Sequence, residues 1–146
     1  MFLSPVSESS VVDASSATSV TLYRAVGPGQ MRAIMERGFA RFPARLPQQK
    51  FFYPMLTESF ASFVATVWNV PHSGAGYVLR FRVAPEGIEG KRAFRVGGPE
   101  HREFRIGRED FNRFNAAICG PIEVVAVFGE DRLGLAPKLA ARAVVA

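Results

Sequence analysis

The chain is poor in the residues that build metal centres and disulfide frameworks. It has one cysteine, Cys119, and two histidines, His72 and His101, among 146 residues. A single thiol cannot close an internal disulfide, and the apolar sequence around Cys119 is typical of a buried structural thiol rather than a nucleophile. The composition therefore excludes a Cys-rich zinc site, and we expect no metal ligands of any other kind.

Long hydrophobic runs are also missing. No apolar stretch approaches the ~20 residues that a membrane-spanning helix needs, so we expect no membrane partner. Met1 to Pro5 lack both a basic stretch and a long apolar core, so we find no secretory signal peptide there. Residues 1–19 are rich in serine, valine and alanine. They predict a flexible leader, followed by a single domain over residues 20–146.

Lysine is scarce, with only Lys50, Lys91 and Lys138, so the formal net charge of +5 comes mainly from arginine. The planar guanidinium of arginine suits bidentate recognition of phosphate and carboxylate. A basic domain favours an acidic partner, which here means nucleic acid, an anionic cofactor or an acidic protein. A solvated basic surface without a partner is the competing interpretation.

Hydrophobic patterning predicts several short strands. The clearest is Tyr77–Val83, in which Tyr77, Leu79, Phe81 and Val83 alternate with Arg80 and Arg82. Strands are predicted over residues 20–26, 50–53, 77–83, 93–96, 103–106 and 122–128. Glycine fingerprints of the Walker or dinucleotide-binding type and internal repeats are missing from the sequence.

Three helices are predicted from their caps and apolar spacing. The first starts at Pro28 and ends at Gly38, the second is capped by Thr57, and the third runs from about Arg108 to a stop at Gly120-Pro121. A loop is predicted over residues 71–76, and a weak helix or tail over 133–146. The apolar stripe of the second helix is interpreted as core and comprises Phe60, Phe63, Val64, Val67 and Trp68. This order of elements indicates an α+β fold rather than repeating βαβ units.

Three short pieces of the sequence carry residue types with related chemistry: Tyr23-Arg24, the aromatic block Phe51–Tyr53 with Thr57 after it, and His101-Arg102-Glu103. An arginine can bind a pyrophosphate through a charge-assisted fork, and an aromatic ring can stack on a flat heterocycle. A carboxylate can stabilise a cation that develops on a ribose. Together these groups are the parts needed to hold a dinucleotide and to break its glycosidic bond.

The order of the three pieces resembles the ADP-ribosyltransferase fold, especially small domains at the ends of bacterial polymorphic toxins and effectors. Residues 22–26 look like the Tyr-Arg of the family's first strand, and residues 31–39 look like the helix that follows it. Residues 50–53 and 57–61 are similar to the second element, and residues 101–106 are similar in part to the third, an E/Q-x-E strand. The similarity covers residues 20–129. His101 stands where the family often has Glu or Gln, and Thr57 lies farther from Tyr53 than is usual.

The resemblance implies two small, mostly antiparallel sheets around a cleft for NAD, with flanking helices. It implies a mono-ADP-ribosyltransferase that uses NAD as a substrate and transfers ADP-ribose to a macromolecular acceptor, either protein or RNA. Glu103 and His101 are the candidate catalytic residues, for the ribose cation and the acceptor respectively. The candidate NAD-binding residues are Tyr23, Arg24, Phe52, Tyr53 and Thr57.

The resemblance also implies a biological setting. We expect a monomeric toxin or effector domain that is secreted, acts in the cytoplasm of a target cell and has a cognate immunity protein. Two alternatives remain open: an NAD glycohydrolase that uses water as acceptor, and a non-catalytic basic module that binds nucleic acid or protein.

Each site residue also has a purely structural interpretation. Glu103 can be a strand glutamate paired with Arg102 or Arg105, Thr57 a helix cap, and His101 an exposed loop residue. Neighbours on a strand face opposite sides, so either Phe52 or Tyr53 is expected to pack in the core.

Overall fold

A computed structural model describes residues 18–136 and residue 139. Most of the predicted leader and of the predicted C-terminal helix or tail lies outside these residues. The strands are β1 Val20–Val26, β2 Phe51–Phe52, β3 Ala75–Val83, β4 Phe94–Arg95, β5 Arg102–Glu103, β6 Ile106–Gly107 and β7 Ile118–Gly129. The helices are α1 Pro28–Glu36, α2 Glu58–Val64, α3 Val70–Ser73 and α4 Arg108–Ala116. A π-helical segment, Ala65–Asn69, joins α2 to α3, and a 3-10 turn covers Pro85–Gly87. The α+β class predicted from the sequence is confirmed.

The largest sheet has three antiparallel strands in the order β1-β3-β7. Its central strand β3 pairs Phe81 with Leu22 of β1 and Leu79 with Val124 of β7. Tyr77, Leu79, Phe81 and Val83 are all buried in the main core, as their alternation predicts. The strand is therefore held by apolar contacts and by hydrogen-bonded ladders on both edges, of which the ladder with β7 is interrupted by shifts of register.

Two smaller ladders, β2-β6 and β4-β5, are also antiparallel. Met55 connects one of them to β1, because it forms a bridge with Tyr23 on one side and with Glu103 on the other. The Tyr23 N–H donates to the Met55 carbonyl at 2.8 Å, and the Met55 N–H donates to the Tyr23 carbonyl at 2.7 Å. Strand β5 is thus separated from β1 only by the backbone of Met55, although about eighty residues lie between them in the sequence.

The main core is built around phenylalanine rings that meet edge to face. Phe42 lies 5.0 Å from both Phe52 and Phe81, and Phe52 lies 5.2 Å from Phe111, measured between ring centroids. Edge-to-face pairs place the positive edge of one ring against the negative face of the next. This core accounts for much of the high phenylalanine content of the chain.

Two of the predicted chain breaks are wrong. The predicted loop at residues 71–76 begins as helix α3, because Pro71 follows a π segment in which Val70 N–H already bonds to the Ala65 carbonyl, five residues back. The α-helical ladder is interrupted there, so the missing N–H of Pro71 costs little. Gly120-Pro121 lies inside β7, where the pairing with β3 shifts and Gly120 has a φ of 74°. A bulge on an edge strand accommodates both residues.

Candidate functional site

A cleft of about 560 Å³ opens beside the end of β1, between helix α2 with its π segment and the β4-β5 ladder. Four of the residues singled out in the sequence line it: Arg24, Tyr53, His101 and Glu103. The bridge through Met55 is what brings them together, because it sets the strand of Glu103 beside the strand of Arg24. Tyr23, Phe52 and Thr57 do not line the cleft.

Arg24 is the most unusual residue of the cleft. It is 9% exposed, and no carboxylate within the described residues forms an ion pair with it. Its guanidinium donates two long hydrogen bonds of 3.4 Å, one to the Tyr53 carbonyl and one to Gln30 Oε1. Its Nε is buried and has no hydrogen-bond partner among the described residues. Burial, with a contribution from Arg45, lowers the pKa of Arg24 to about 9, so the side chain remains a cation at neutral pH.

Phe52 lies beneath this cation. The Arg24 guanidinium carbon is 4.4 Å from the centre of the Phe52 ring, and that of Arg45 is 5.2 Å from the same ring. Sequence reasoning missed Arg45, which lies in the segment between α1 and β2. Its Nη2 donates to the Phe51 carbonyl at 2.8 Å, and burial lowers its pKa as well. Two guanidinium groups near one ring make the region around Arg24 strongly cationic, although Arg45 does not line the cleft.

Glu103 faces the cleft from strand β5, with a side chain that is 13% exposed. Burial raises the pKa of its carboxyl above the ordinary value, whereas Arg105 and Arg24 act in the opposite direction. Arg105 Nε lies 3.4 Å from Glu103 Oε2, so the expected pairing with a neighbouring arginine is present. The carboxyl nevertheless lines the cleft, where burial limits its contact with water and where the Arg24 cation is close enough to affect its pKa.

His101 lies against the aromatic side of the cleft. Its ring stacks on Phe60 with centroids 4.6 Å apart and planes 10° apart, and it lies 4.9 Å from Phe63. The two rings fix the orientation of the imidazole on the cleft wall. His101 directly precedes β5, Glu103 lies in it, and both side chains line the cleft.

The aromatic block separates as the strand alternation requires. Phe52 is buried in the core beneath Arg24, and Tyr53 is 38% exposed and lines the cleft. Tyr23 points away from Arg24 into a second apolar cluster below helix α2. Of the candidate stacking residues, only Tyr53 is therefore placed to contact a ligand directly.

Thr57 caps helix α2. Its Oγ1 accepts a hydrogen bond from the Phe60 N–H at 3.1 Å and donates one to the Glu100 carbonyl at 3.0 Å. Ser59 Oγ lies 3.3 Å from Glu100 Oε1, which adds a second link to the same residue. These bonds tie the segment that precedes His101 to the start of α2, so Thr57 supports the cleft from outside.

The prediction that the whole apolar stripe of α2 packs in the core is wrong. Phe60 is buried, but Phe63 is 48% exposed and Trp68 is 59% exposed, and both line the cleft. The small residues Ala61 and Ala65 form the buried face instead. A Cβ on Gly76 of β3 would lie 2.8 Å from the Ala65 Cβ, so helix and strand approach too closely for large side chains between them. Ala61, Ala65 and Gly76 are the signal in the sequence that marks this contact.

Within the described residues, no three His, Cys, Asp or Glu side chains are grouped so that they could hold a metal ion. In the same part of the chain, no helix is both long enough and apolar enough to cross a membrane. No protein-family model, no curated protein and no solved structure matches the chain. The case for a function therefore rests on the residues of the cleft.

Proposed function

We propose that the chain is a mono-ADP-ribosyltransferase domain of the toxin or effector type, which transfers ADP-ribose from NAD to a macromolecular acceptor. The observation that carries this proposal is the meeting of Arg24 and Glu103 in one cleft. A buried cation without a counter-ion and a partly buried carboxyl are costly to maintain, so their presence together favours a binding role.

Arg24 is the candidate pyrophosphate ligand. Its two long hydrogen bonds hold the guanidinium weakly, and no carboxylate of the described residues neutralises it. A phosphate oxygen entering the cleft would supply the missing negative charge and shorter, charge-assisted hydrogen bonds. Arg45 does not line the cleft, but its charge beside the same Phe52 ring adds to the attraction for a phosphate.

Glu103 is the candidate catalytic carboxylate. In ADP-ribose transfer, the bond between ribose C1′ and the nicotinamide nitrogen breaks, and its electron pair leaves with nicotinamide. A carboxylate that holds the ribose 2′-hydroxyl stabilises the positive charge that develops on the sugar. The acceptor then forms a bond to C1′ and loses a proton. Tyr53, exposed at the cleft, is the candidate ring for stacking on nicotinamide.

The sequence resemblance to the ADP-ribosyltransferase fold supports the same proposal. From the same resemblance we infer two sheets around an NAD cleft and a monomeric state. We also infer a secreted domain that works in the target-cell cytoplasm and has a cognate immunity protein. Thr57 acts in this proposal as the cap that steadies α2, and Tyr23 as a packing residue. His101 is the candidate residue for orienting the acceptor.

The test is release of nicotinamide from NAD carrying labelled ADP-ribose, followed over time in a cell lysate. We expect Glu103→Gln to lower the rate by at least about a hundredfold, which is typical when a group that stabilises transition-state charge is removed. Glu36→Gln is the matched control, because Glu36 is an exposed glutamate at the end of α1. Equal rates for wild type and Glu103→Gln, or no release by the wild type, would contradict the proposal.

Hydrolysis of NAD is the second candidate, and one observation favours it. Glu103 is the only acidic residue of the described chain that lines the cleft, and His101 is held against two aromatic rings. The cleft thus offers no second carboxylate to deprotonate a macromolecular acceptor, whereas water is present at high concentration, can add to the cation directly and then loses its proton to bulk solvent. Free labelled ADP-ribose as the main product, with little label on macromolecules, would favour hydrolysis.

A further inference from the structure

The β4-β5 ladder and its flanks form a basic ribbon along one side of the cleft. We define this basic ribbon by its four arginines, Arg92, Arg95, Arg102 and Arg105. Two glutamates, Glu100 and Glu103, are the acidic residues between Arg92 and Arg105 in the sequence. The ribbon is thus a positively charged surface that adjoins the candidate catalytic carboxyl.

Two of these arginines lie directly opposite each other. Arg95 of β4 pairs in register with Arg102 of β5, and both side chains are exposed. Neither forms an ion pair with a carboxylate within the described residues. Like charges directly opposite on a ladder destabilise it, and an anion that lay against both guanidinium groups would relieve this repulsion.

The other two arginines lie against an aromatic ring. The guanidinium carbons of Arg92 and Arg105 are 4.6 Å and 4.0 Å from the centre of the Phe94 ring. Arg105 also reaches the Glu103 carboxyl. The ring holds both cations in place while it leaves donors of Arg92 available to a ligand.

The β4-β5 ladder is only two residue pairs long, and its two faces carry different side chains. Phe94 pairs in register with Glu103, so both belong to the face that turns toward the cleft, whereas Arg95 and Arg102 belong to the other face. The exposed rings of Phe63 and Trp68, which we call the aromatic wall, line the same cleft. Because the ladder is so short, a flexible polyanion that bends around its edge can contact Arg95 and Arg102 and still place one of its units in the cleft.

We propose that the basic ribbon and the aromatic wall bind single-stranded RNA and that this RNA is the acceptor of ADP-ribose. The second half rests on the proposed function. Arginines contact the phosphates of a single strand, and exposed rings stack on its unpaired bases. An acidic protein would explain the arginines but would bring no flat bases to stack on Phe63 and Trp68, whose rings stay 48% and 59% exposed although they contact His101 and His72. The combination therefore favours RNA over an acidic protein.

Binding is tested without NAD, by fluorescence anisotropy of a labelled, unstructured RNA of about 12 nucleotides, within the usual range of single-strand site sizes. We expect the double variant Arg95→Gln, Arg102→Gln to bind about tenfold or more weakly. Its slope of log K against log salt should fall by about 1.4, because each lost phosphate contact in a single strand contributes about 0.7. The matched control is Arg32→Gln, Arg37→Gln, which removes the same charge from exposed positions on and just after α1.

The aromatic wall is tested in the same assay. Trp68→Ala is expected to weaken RNA binding by about fivefold or more, since stacking on one base is worth roughly 1–3 kcal/mol. Leu46→Ala, an exposed apolar residue outside the cleft, should have no effect. Ultraviolet cross-linking of RNA to the wild-type protein should label peptides containing residues 63–68 or 92–105, which tests the surface without any substitution.

Several results would overturn the proposal. An equal loss of binding in the Arg32, Arg37 control would show unspecific attraction, and tighter binding of a polyglutamate peptide than of RNA would favour an acidic protein. Cross-links confined to other segments would show that RNA does not bind to the basic ribbon or to the aromatic wall. RNA binding without any nicotinamide release would refute the proposed function while leaving the RNA surface in place. Nicotinamide release with label on protein alone would refute RNA as the acceptor while leaving the proposed transferase activity in place.

Discussion

Replacing Arg24 with methionine should make the protein more stable while it abolishes NAD turnover. A pKa lowered from the ordinary arginine value to about 9 corresponds to roughly 5 kcal/mol of unfavourable free energy for the buried cation. The contact with Phe52 at 4.4 Å returns about 1–2 kcal/mol, and the two hydrogen bonds of 3.4 Å return little because they are long. Methionine keeps much of the apolar contact of the arginine stem.

The expected net effect of Arg24→Met is an increase of about 1–3 kcal/mol in the free energy of unfolding, as found when buried charges are replaced by apolar side chains of similar size. For a domain of this size that corresponds to a melting temperature higher by about 4–15 °C. Below about pH 9 the folded and unfolded chains both carry the proton on Arg24, so the gain should be constant across neutral pH.

Guanidinium chloride unfolding at pH 7, followed by circular dichroism, measures this change. Arg37→Met removes an exposed arginine next to α1 and should stay within about 0.5 kcal/mol of the wild type. ADP-ribose should raise the melting temperature of the wild type and leave that of Arg24→Met unchanged. A loss of more than about 1 kcal/mol in Arg24→Met would refute the reasoning, because the guanidinium would then be a structural element of the fold.

Four further predictions concern Glu103, Thr57 and Gly76. Burial raises the pKa of Glu103, so its ionised form destabilises the fold. Glu103→Gln should therefore unfold at higher denaturant than the wild type at pH 7, and the difference should vanish below about pH 3.5, where the carboxyl is protonated in both states. Bacterial colony counts should also be far lower for the wild type than for Glu103→Gln, and equal counts would count against a toxic activity. Thr57→Ala should lose about 1 kcal/mol of stability through the missing cap, with NAD turnover within about threefold of the wild type; a much larger fall in turnover would return Thr57 to the candidate active site. Gly76→Ala should cost about 1–3 kcal/mol in thermal or chemical unfolding, because its Cβ would lie 2.8 Å from Ala65, and an unchanged midpoint would show that α2 can move away from β3.

The elements with strong local signals were predictable from the sequence. Strand β1 occupies the predicted residues 20–26, and the buried positions of β3 follow the predicted alternation. Thr57 caps its helix as predicted, since a threonine before an apolar stripe can satisfy a free N–H by itself. Such signals involve residues close in the chain, and the local backbone is enough to decide them.

The features that needed contacts distant in sequence were not predictable. The two bridges of Met55 bring Glu103 beside β1, and nothing in the residues around Met55 indicates them. The helical spacing of Phe63 and Trp68 suits a core face, and only the close approach of Ala65 to Gly76 turns them outward. Arg45 lies in a segment without regular structure, so only the fold shows that it reaches Phe52.

The π segment Ala65–Asn69 has a consequence for how such a cleft can change between relatives. One residue added to an α-helix can be absorbed as a π turn, and the residues beyond that turn then keep their original phase around the helix axis. A one-residue insertion or deletion within Ala65–Asn69 would therefore change which side chains reach the cleft wall there, while the flanking helices and the sheet below stay in place. In homologues of this chain, a one-residue gap at this segment would be expected to mark a change in what the cleft binds.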